Sequence, residues 1–255
     1  MGKLLWTAVV LILAGSLAGT LLLRYRSRHL GAVQRGYRTA DEAGCFACHG
    51  AGGYRGMPDP GHGLEDVPPW SGGILATYAE NEAEIREWIL DGLPESVRKD
   101  PEQMRLRARA VVRMPAFRRL LSNHQVNDLV AYVKAVGDFE KPKDEFAEAG
   151  RQVALRFGCF NCHGPQGRGA PPNPRSLKGY IPSWDGADLP ELARDDQEIR
   201  DWIVDGGTRR LTASRLARFF LERQTIRMPA YRGFMTESET GLLVDYIHWL
   251  RQHPY

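Results

Sequence analysis

Leu4 to Leu23 is a run of twenty residues without a charge, long enough to cross a bilayer as one helix. Beyond it, apolar residues recur at helical spacing. Ile85, Trp88 and Ile89 fall on one face of a helix predicted over 80–91, and Ile199, Trp202 and Ile203 on one face of a helix over 194–205. Gly92 and Gly206 stop these two helices. Val126, Leu129, Val130 and Val133 form an apolar stripe after Ser122, and Leu242, Leu243, Tyr246 and Ile247 form another after Thr236. Ser122 and Thr236 are both good N-caps. Further helices are expected over 36–44 and 145–158, and over 101–111 and 212–224. Between them, 50–69 and 164–182 are rich in glycine and proline and read as loops.

These elements come in pairs. Adding 114 to a position in the first half gives its counterpart in the second, as from His49 to His163. Gly36 maps on Gly150, Trp70 on Trp184, Arg113-Met114-Pro115-Ala116-Phe117 on Arg227-Met228-Pro229-Ala230-Tyr231, and Tyr132 on Tyr246. One module is duplicated in tandem.

The chemistry sits at the same repeat positions. Cys45-Phe46-Ala47-Cys48-His49 returns as Cys159-Phe160-Asn161-Cys162-His163, and these are the only cysteines in the chain. Two cysteines two residues apart, followed directly by histidine, read as a c-type haem attachment site. The two thiols add to the two vinyl groups of one porphyrin, and the histidine is then placed to bind the iron. The alternatives are a disulfide, a zinc half-site or a redox dithiol; a zinc site gives no reason for a histidine directly after each second cysteine. Met114 and Met228 each follow their histidine by 65 residues and precede a proline. A thioether is a soft sixth ligand that raises the potential relative to bis-histidine ligation. Met57, Met104 and Met235 have no methionine at the repeat-related position and are assigned to core packing.

CxxCH near the start, a W-I-x-D-G helix, R-M-P-A-[FY] and a last helix with a central tyrosine resemble class I cytochrome c domains, twice, over about 36–137 and 150–251. The nearest type is the small bacterial one found in membrane oxidase and quinol-oxidising complexes. The resemblance implies an all-α fold of two haem cages with His/Met ligation: His49 and Met114 on one iron, His163 and Met228 on the other, and two covalently bound haem c in all.

Charge placement divides the chain further. Residues 1–35 hold five Lys/Arg and no acid, giving +5; residues 36–140 hold twelve basic and sixteen acidic residues, giving −4; residues 141–255 hold seventeen and fifteen, giving +2. This suggests an anchor and tether (1–35), a first cytochrome c domain (36–140) and a second (141–255), with a short linker over 138–144. Neither haem half is basic enough to suggest nucleic acid. The apolar run competes between a retained transmembrane helix and a signal peptide cut after Ala18; Thr20-Leu21-Leu22-Leu23 continues it to Arg24 and favours the anchor. The positive-inside tendency would keep Arg24, Arg26, Arg28 and Arg35 in the cytoplasm. The resemblance places haem attachment outside it, and that chemistry decides. A single-pass protein of the bacterial inner membrane is expected, with its haem domains on the periplasmic or outer side and the arginines at lipid headgroups or a partner.

Several residues carry secondary expectations. Arg113 and Arg227 precede the methionines and are candidates to pair with haem propionates. Trp88 and Trp202 are expected against haem or core, each indole N–H needing a partner, with a propionate as one candidate and core packing as the other. Trp70 and Trp184 are candidates for the haem edge. Gly36 and Gly150 would let the last helix, with Tyr132 and Tyr246, pack close. Pro60 and Pro174 are candidates to rigidify the loop whose backbone carbonyl orients the histidine. Arg105, Arg107 and Arg109, and Arg215, Arg218 and Arg223, read as a solvated face. His62 is the one rival axial ligand; His124 and His248 read as surface.

The expected function is single-electron transfer in a respiratory or photosynthetic chain, by a subunit not catalytic alone. Two six-coordinate haems leave no open iron for a substrate. A quinol–cytochrome c oxidoreductase of the bc type comes first, with a b-type cytochrome and a Rieske protein as neighbours and a soluble cytochrome c or terminal oxidase as the electron partner. The alternatives are the electron-input subunit of a terminal oxidase or nitric oxide reductase, the electron acceptor of a periplasmic dehydrogenase, and, less favoured, a dihaem peroxidase or a haem-based sensor.

Overall fold

The computed structural model describes residues 6, 9–17, 19–20, 30–59 and 66–255. Eight residues of the apolar run 4–23 therefore lie outside the described residues, as do Arg24, Arg26, Arg28, Pro60 and His62. Residues 9–17 are helical with exposed apolar side chains, Leu11 and Ile12 among them. Among the described residues, no helix is long and apolar enough to cross a membrane.

The first domain holds α1 (Ala32–Glu42), α2 (Phe46–His49), α3 (Leu75–Tyr78), α4 (Glu82–Asp91), α5 (Glu95–Lys99), α6 (Pro101–Arg109) and α7 (Asn123–Val136). The second holds α8 (Glu145–Arg156), α9 (Cys159–His163), α10 (Leu189–Leu192), α11 (Asp196–Asp205), α12 (Arg209–Ala213), α13 (Arg215–Arg223) and α14 (Glu237–Gln252). The described residues contain isolated β-bridges, such as Pro58 with Asp66 and Pro172 with Tyr180, and no extended strand. The second set of helices repeats the first 114 residues on, as α4 at Glu82 and α11 at Asp196 show.

Local chemistry fixes the helix ends. Asn81 and Asp195 cap α4 and α11 by accepting from Glu84 N and Glu198 N. Ser122 with Gln125, and Thr236 with Glu239, form complete capping boxes on α7 and α14. The helix expected over 212–224 is two helices, because Ser214 ends α12 and caps α13 through Ala217 N.

In each domain the first and last helices cross in contact. A Cβ on Gly36 would stand 1.9 Å from the Asp128 carbonyl oxygen, and one on Gly150 would stand 1.9 Å from that of Leu242. The glycines therefore permit the crossing, with Tyr132 and Tyr246 over them as expected. The first core gathers Val33, Ile85, Ile89, Val126, Leu129 and Val133; the second gathers Val153, Ile199, Ile203, Leu243, Ile247 and Leu250.

Two expectations about the tether change. Helix α1 starts at Ala32, inside the segment read as tether, because Leu30 and Val33 are buried, at 3% and 2% exposure. Arg35 does not reach outward: its Nε and Nη2 donate to both carboxylate oxygens of buried Asp128 at 2.8 and 2.6 Å. Among the methionines assigned to packing, Met235 is buried, whereas Met57 and Met104 are exposed. His124 and His248 are on the surface, beside Asp128 and Asp196.

The domains are joined by polar contacts. Ala170 N donates to Gln34 Oε1 at 2.7 Å, and Gln166 Nε2 donates to Asp138 Oδ1 at 2.9 Å and to the Glu140 carbonyl at 3.1 Å. Tyr255 packs against the first core while its hydroxyl donates to Gln166 Oε1 at 3.2 Å.

Candidate functional site

Each cysteine motif folds as one turn of helix, α2 or α9, after a glycine in the left-handed region, Gly44 or Gly158. Residues three and four apart on a helix are neighbours, so Cys45, Cys48 and His49 gather on one cavity, and Cys159, Cys162 and His163 on another. All four thiols are free. Burial pushes the Cys45 and Cys159 thiols up to about 11, so they are neutral, as are the thioethers that attachment would make of them.

The histidines are oriented from behind. His49 Nδ1 lies 3.0 Å from the Pro68 carbonyl oxygen. A carbonyl only accepts, so Nδ1 carries the proton and Nε2 is left to ligate. His163 is deeper: burial lowers it to about 4, against the weaker opposing influence of the Pro182 carbonyl, and its Nδ1 has no well-formed hydrogen bond. Burial lowers His49 too. Both rings are held in the neutral, ligating form. The indoles of Trp70 and Trp184, both buried, lie 4.8 Å from the imidazoles of His49 and His163. The carbonyl behind His49 is that of Pro68 and the one acting on His163 is that of Pro182, each inside the loop expected to supply it. Pro60 lies outside the described residues, and the Pro174 carbonyl accepts from Thr225 N at 3.0 Å.

The methionines come from the other end of each domain. After α6 the chain runs without helix through Met114, and after α13 through Met228. Phe117 N and Arg118 N donate to the Ile89 and Leu90 carbonyls at the end of α4, each at 3.1 Å; Tyr231 N and Arg232 N repeat this with Ile203 and Val204. Gly92, at φ 69°, closes α4 so tightly that a Cβ there would stand 2.4 Å from the Met114 carbonyl oxygen. Gly206, at φ 72°, stands in the same relation to Met228 at 2.6 Å. The sequence marked these glycines only as helix stops.

Met114 lines the same cavity as His49 and its cysteines, about 190 Å³; Met228 lines that of His163, about 270 Å³. The walls are mostly apolar, among them Trp70, Ile85 and Leu129 in one and Trp184, Ile199 and Leu243 in the other. Two thiols, an imidazole and a thioether facing an apolar slot are the donor set that haem c requires, so the residues present fit that group.

Trp88 and Trp202 line the cavities, but their indole N–H groups are used by the fold: Nε1 donates to the Tyr78 carbonyl at 2.8 Å and to the Leu192 carbonyl at 2.9 Å. These N–H groups are thereby spent on the fold. Arg113 and Arg227 are exposed at the cavity rims, and Arg227 Nη2 also donates to the Glu222 carbonyl. Sequence reasoning missed Arg107. It was read as solvated, yet its guanidinium lies 4.3 Å from the Trp88 ring centre, lines the first cavity, and is lowered in pKa by burial. Asp59 was missed as well; it is 1% exposed and lines that cavity.

The protein-family model for Cytochrome c matches the chain twice, over residues 33–137 and 147–251. No curated protein and no solved structure matches it.

Proposed function

Since the chain belongs to the cytochrome c family, with two tandem domains that each take one covalently attached haem c, we propose that it is a membrane-anchored dihaem electron carrier of a respiratory or photosynthetic chain. One observation carries this reading: in both domains the histidine and the methionine line the same apolar cavity as the paired cysteines. The haem supplies a one-electron ferric/ferrous couple. Cys45 and Cys48 would hold one and Cys159 and Cys162 the other, with His49 and Met114, and His163 and Met228, as the donors to iron. A histidine and a methionine on each cavity would leave the iron no open position for a substrate, which disfavours the peroxidase reading. Arg113 and Arg227, at the rims, are placed to meet propionates.

The apolar run 4–23 supports the anchor. Within it, Thr20 Oγ1 donates back to the Ser16 and Leu17 carbonyls at 3.0 and 2.8 Å, which satisfies a hydroxyl without water, as lipid demands. The haem domains would then face the periplasm or outer side of a bacterial inner membrane. A fixed tether suits a subunit of a complex, and we assign it first to a bc-type quinol–cytochrome c oxidoreductase, beside a b-type cytochrome and a Rieske protein, delivering electrons to a soluble cytochrome c or a terminal oxidase. The test is a reduced-minus-oxidised spectrum of the complex that co-purifies in mild detergent. Low-spin b haems with a Rieske signal are expected. A high-spin haem that binds carbon monoxide would overturn this assignment in favour of an oxidase or nitric oxide reductase.

A further inference from the structure

Among the described residues, the duplicated cavities differ in charge at one buried position. Residue 59 is aspartate and its counterpart, residue 173, is asparagine. They are 1% and 3% exposed, and each lines its cavity. Both fasten the segment that runs into the methionine, but with different hydrogen bonds. Asp59 Oδ1 accepts from Val111 N at 2.9 Å and Oδ2 accepts from Val112 N at 3.3 Å. Both oxygens accept, as an ionised carboxylate does. Asn173 accepts from Ile226 N at 2.9 Å and donates through Nδ2 to the Ile226 carbonyl at 2.9 Å and to Gln224 Oε1 at 3.4 Å. The Val111 and Val112 amides call for an acceptor at residue 59; the Ile226 amide and carbonyl call for an acceptor and a donor at residue 173. The exchange of Asp for Asn keeps the staple and changes the charge.

A buried negative charge at the wall of a haem cavity favours the ferric state, the more positive of the two, and so lowers the potential. Among the described residues, other charges stand on these walls as well. Arg113 and Arg227 are exposed and occupy equivalent positions. Lys178, on the second cavity, is paired with Asp188 and Glu191 at 2.7 and 2.8 Å. Arg107, half-buried on the first, opposes Asp59 in part.

We propose that Asp59 sets the two haems apart: its carboxylate holds the first haem at the lower potential, Asn173 spares the second, and an electron in the half-reduced chain rests in the second domain. This rests on the electron-carrier reading above. The test is a potentiometric titration of the full chain, wild type against Asp59→Asn and Asn173→Asp. Asp59→Asn should raise the lower wave by about a tenfold change in the reduced-to-oxidised ratio, roughly 59 mV for one electron. Asn173→Asp should lower the other wave. A substitution that merely loosens the methionine segment admits water and lowers the potential, so the direction of the Asp59→Asn shift separates charge from damage. A downward or negligible shift in Asp59→Asn, or the same wave moving in both variants, overturns the proposal while two intact haem spectra leave the carrier reading standing. Absence of two covalent low-spin haems overturns both.

Discussion

Arg151 Nη1 donates to Asp138 Oδ2 at 2.8 Å across the join between the two domains. The arginine side chain is 5% exposed and is also gripped by Glu148 through Nε and Nη2, each at 2.7 Å. Asp138 takes a second donor, Gln166 Nε2, from the loop that follows His163. The end of the first domain is thereby tied to the loop behind the second haem site. Arg151→Ala removes one partner of a nearly buried pair, which in a fully buried setting costs about 3–5 kcal/mol. Asp138 is a third exposed, so about 2 kcal/mol is expected here. Denaturant unfolding of the full chain should show it as a lower midpoint for the second domain. A loss under about 0.5 kcal/mol would class the pair with ordinary surface ion pairs.

Gly92→Ala tests how the first methionine is placed. The new Cβ would suffer a left-handed backbone, costing about 1–2 kcal/mol, and would push on the Met114 carbonyl at 2.4 Å. Gly72 supplies the control: it has φ 71° and nothing within 4 Å of its would-be Cβ. Both alanine variants should lose stability, but only Gly92→Ala should let carbon monoxide reach one reduced haem. Equal carbon monoxide binding in the two would show that the glycine does not position the ligand.

Cys162→Ser tests the second attachment site. Cys159 and Cys162 line one cavity and Cys45 and Cys48 the other, so the loss should be confined to one haem. Mass spectrometry and the pyridine spectrum should find one well-formed covalent haem per chain. Two ordinary c haems in the variant would contradict the assignment.

Most of the fold was legible because it was written twice. A position in one half could be checked against its counterpart, and capping residues such as Ser122 and Thr236 announced themselves locally. Ser214 gave the same local signal of a helix break and was passed over. What stayed hidden depends on contacts between distant segments. Nothing near Arg107 in the sequence shows that it will lie on Trp88, and Leu221 at its repeat position hides the pairing further. A carbonyl of each loop was expected behind the histidine, but which residue supplies it, Pro68 or Pro182, is set by how the loop folds. Asp59 and Asn173 were lost because they stand in glycine- and proline-rich loops, where a polar residue looks solvated until burial is known.

Glu198 gives the second domain an acid-sensitive support. Arg210, hydrogen-bonded through Nε and Nη2 at 2.7 and 2.8 Å, holds its carboxyl down at about 2, from an ordinary 4.5. A carboxyl whose pKa is depressed on folding contributes stability that is fully present above the unfolded value and is lost as pH falls through the folded one. The relevant window is therefore pH 4.5 down to about 2. Glu198 lies near the surface, so the contribution is about 1 kcal/mol at most. Glu198→Gln should be less stable than wild type at pH 6, and the difference should shrink towards zero by pH 2. A difference independent of pH would mean that shape, rather than charge, is what the glutamate supplies.

The two partly buried indoles should not be equally expendable. Trp88 and Trp202 occupy the same repeat position, and each donates to a carbonyl ten residues earlier, Tyr78 and Leu192. Phenylalanine at either place loses that donor and similar packing. The consequences differ because Arg210 Nη2 also reaches the Leu192 carbonyl, at 3.2 Å. Its counterpart in the first domain is Ser96, whose hydroxyl goes to Glu84 Oε1 at 2.7 Å and does not serve Tyr78. A buried acceptor left without a donor costs about 1–3 kcal/mol. Trp88→Phe should therefore destabilise its domain by about 1 kcal/mol more than Trp202→Phe destabilises the other. Adding Arg210→Ser to Trp202→Phe should remove that advantage. Thermal unfolding of the three variants decides it: equal losses in the two single variants would show that the arginine gives the Leu192 carbonyl no effective second bond.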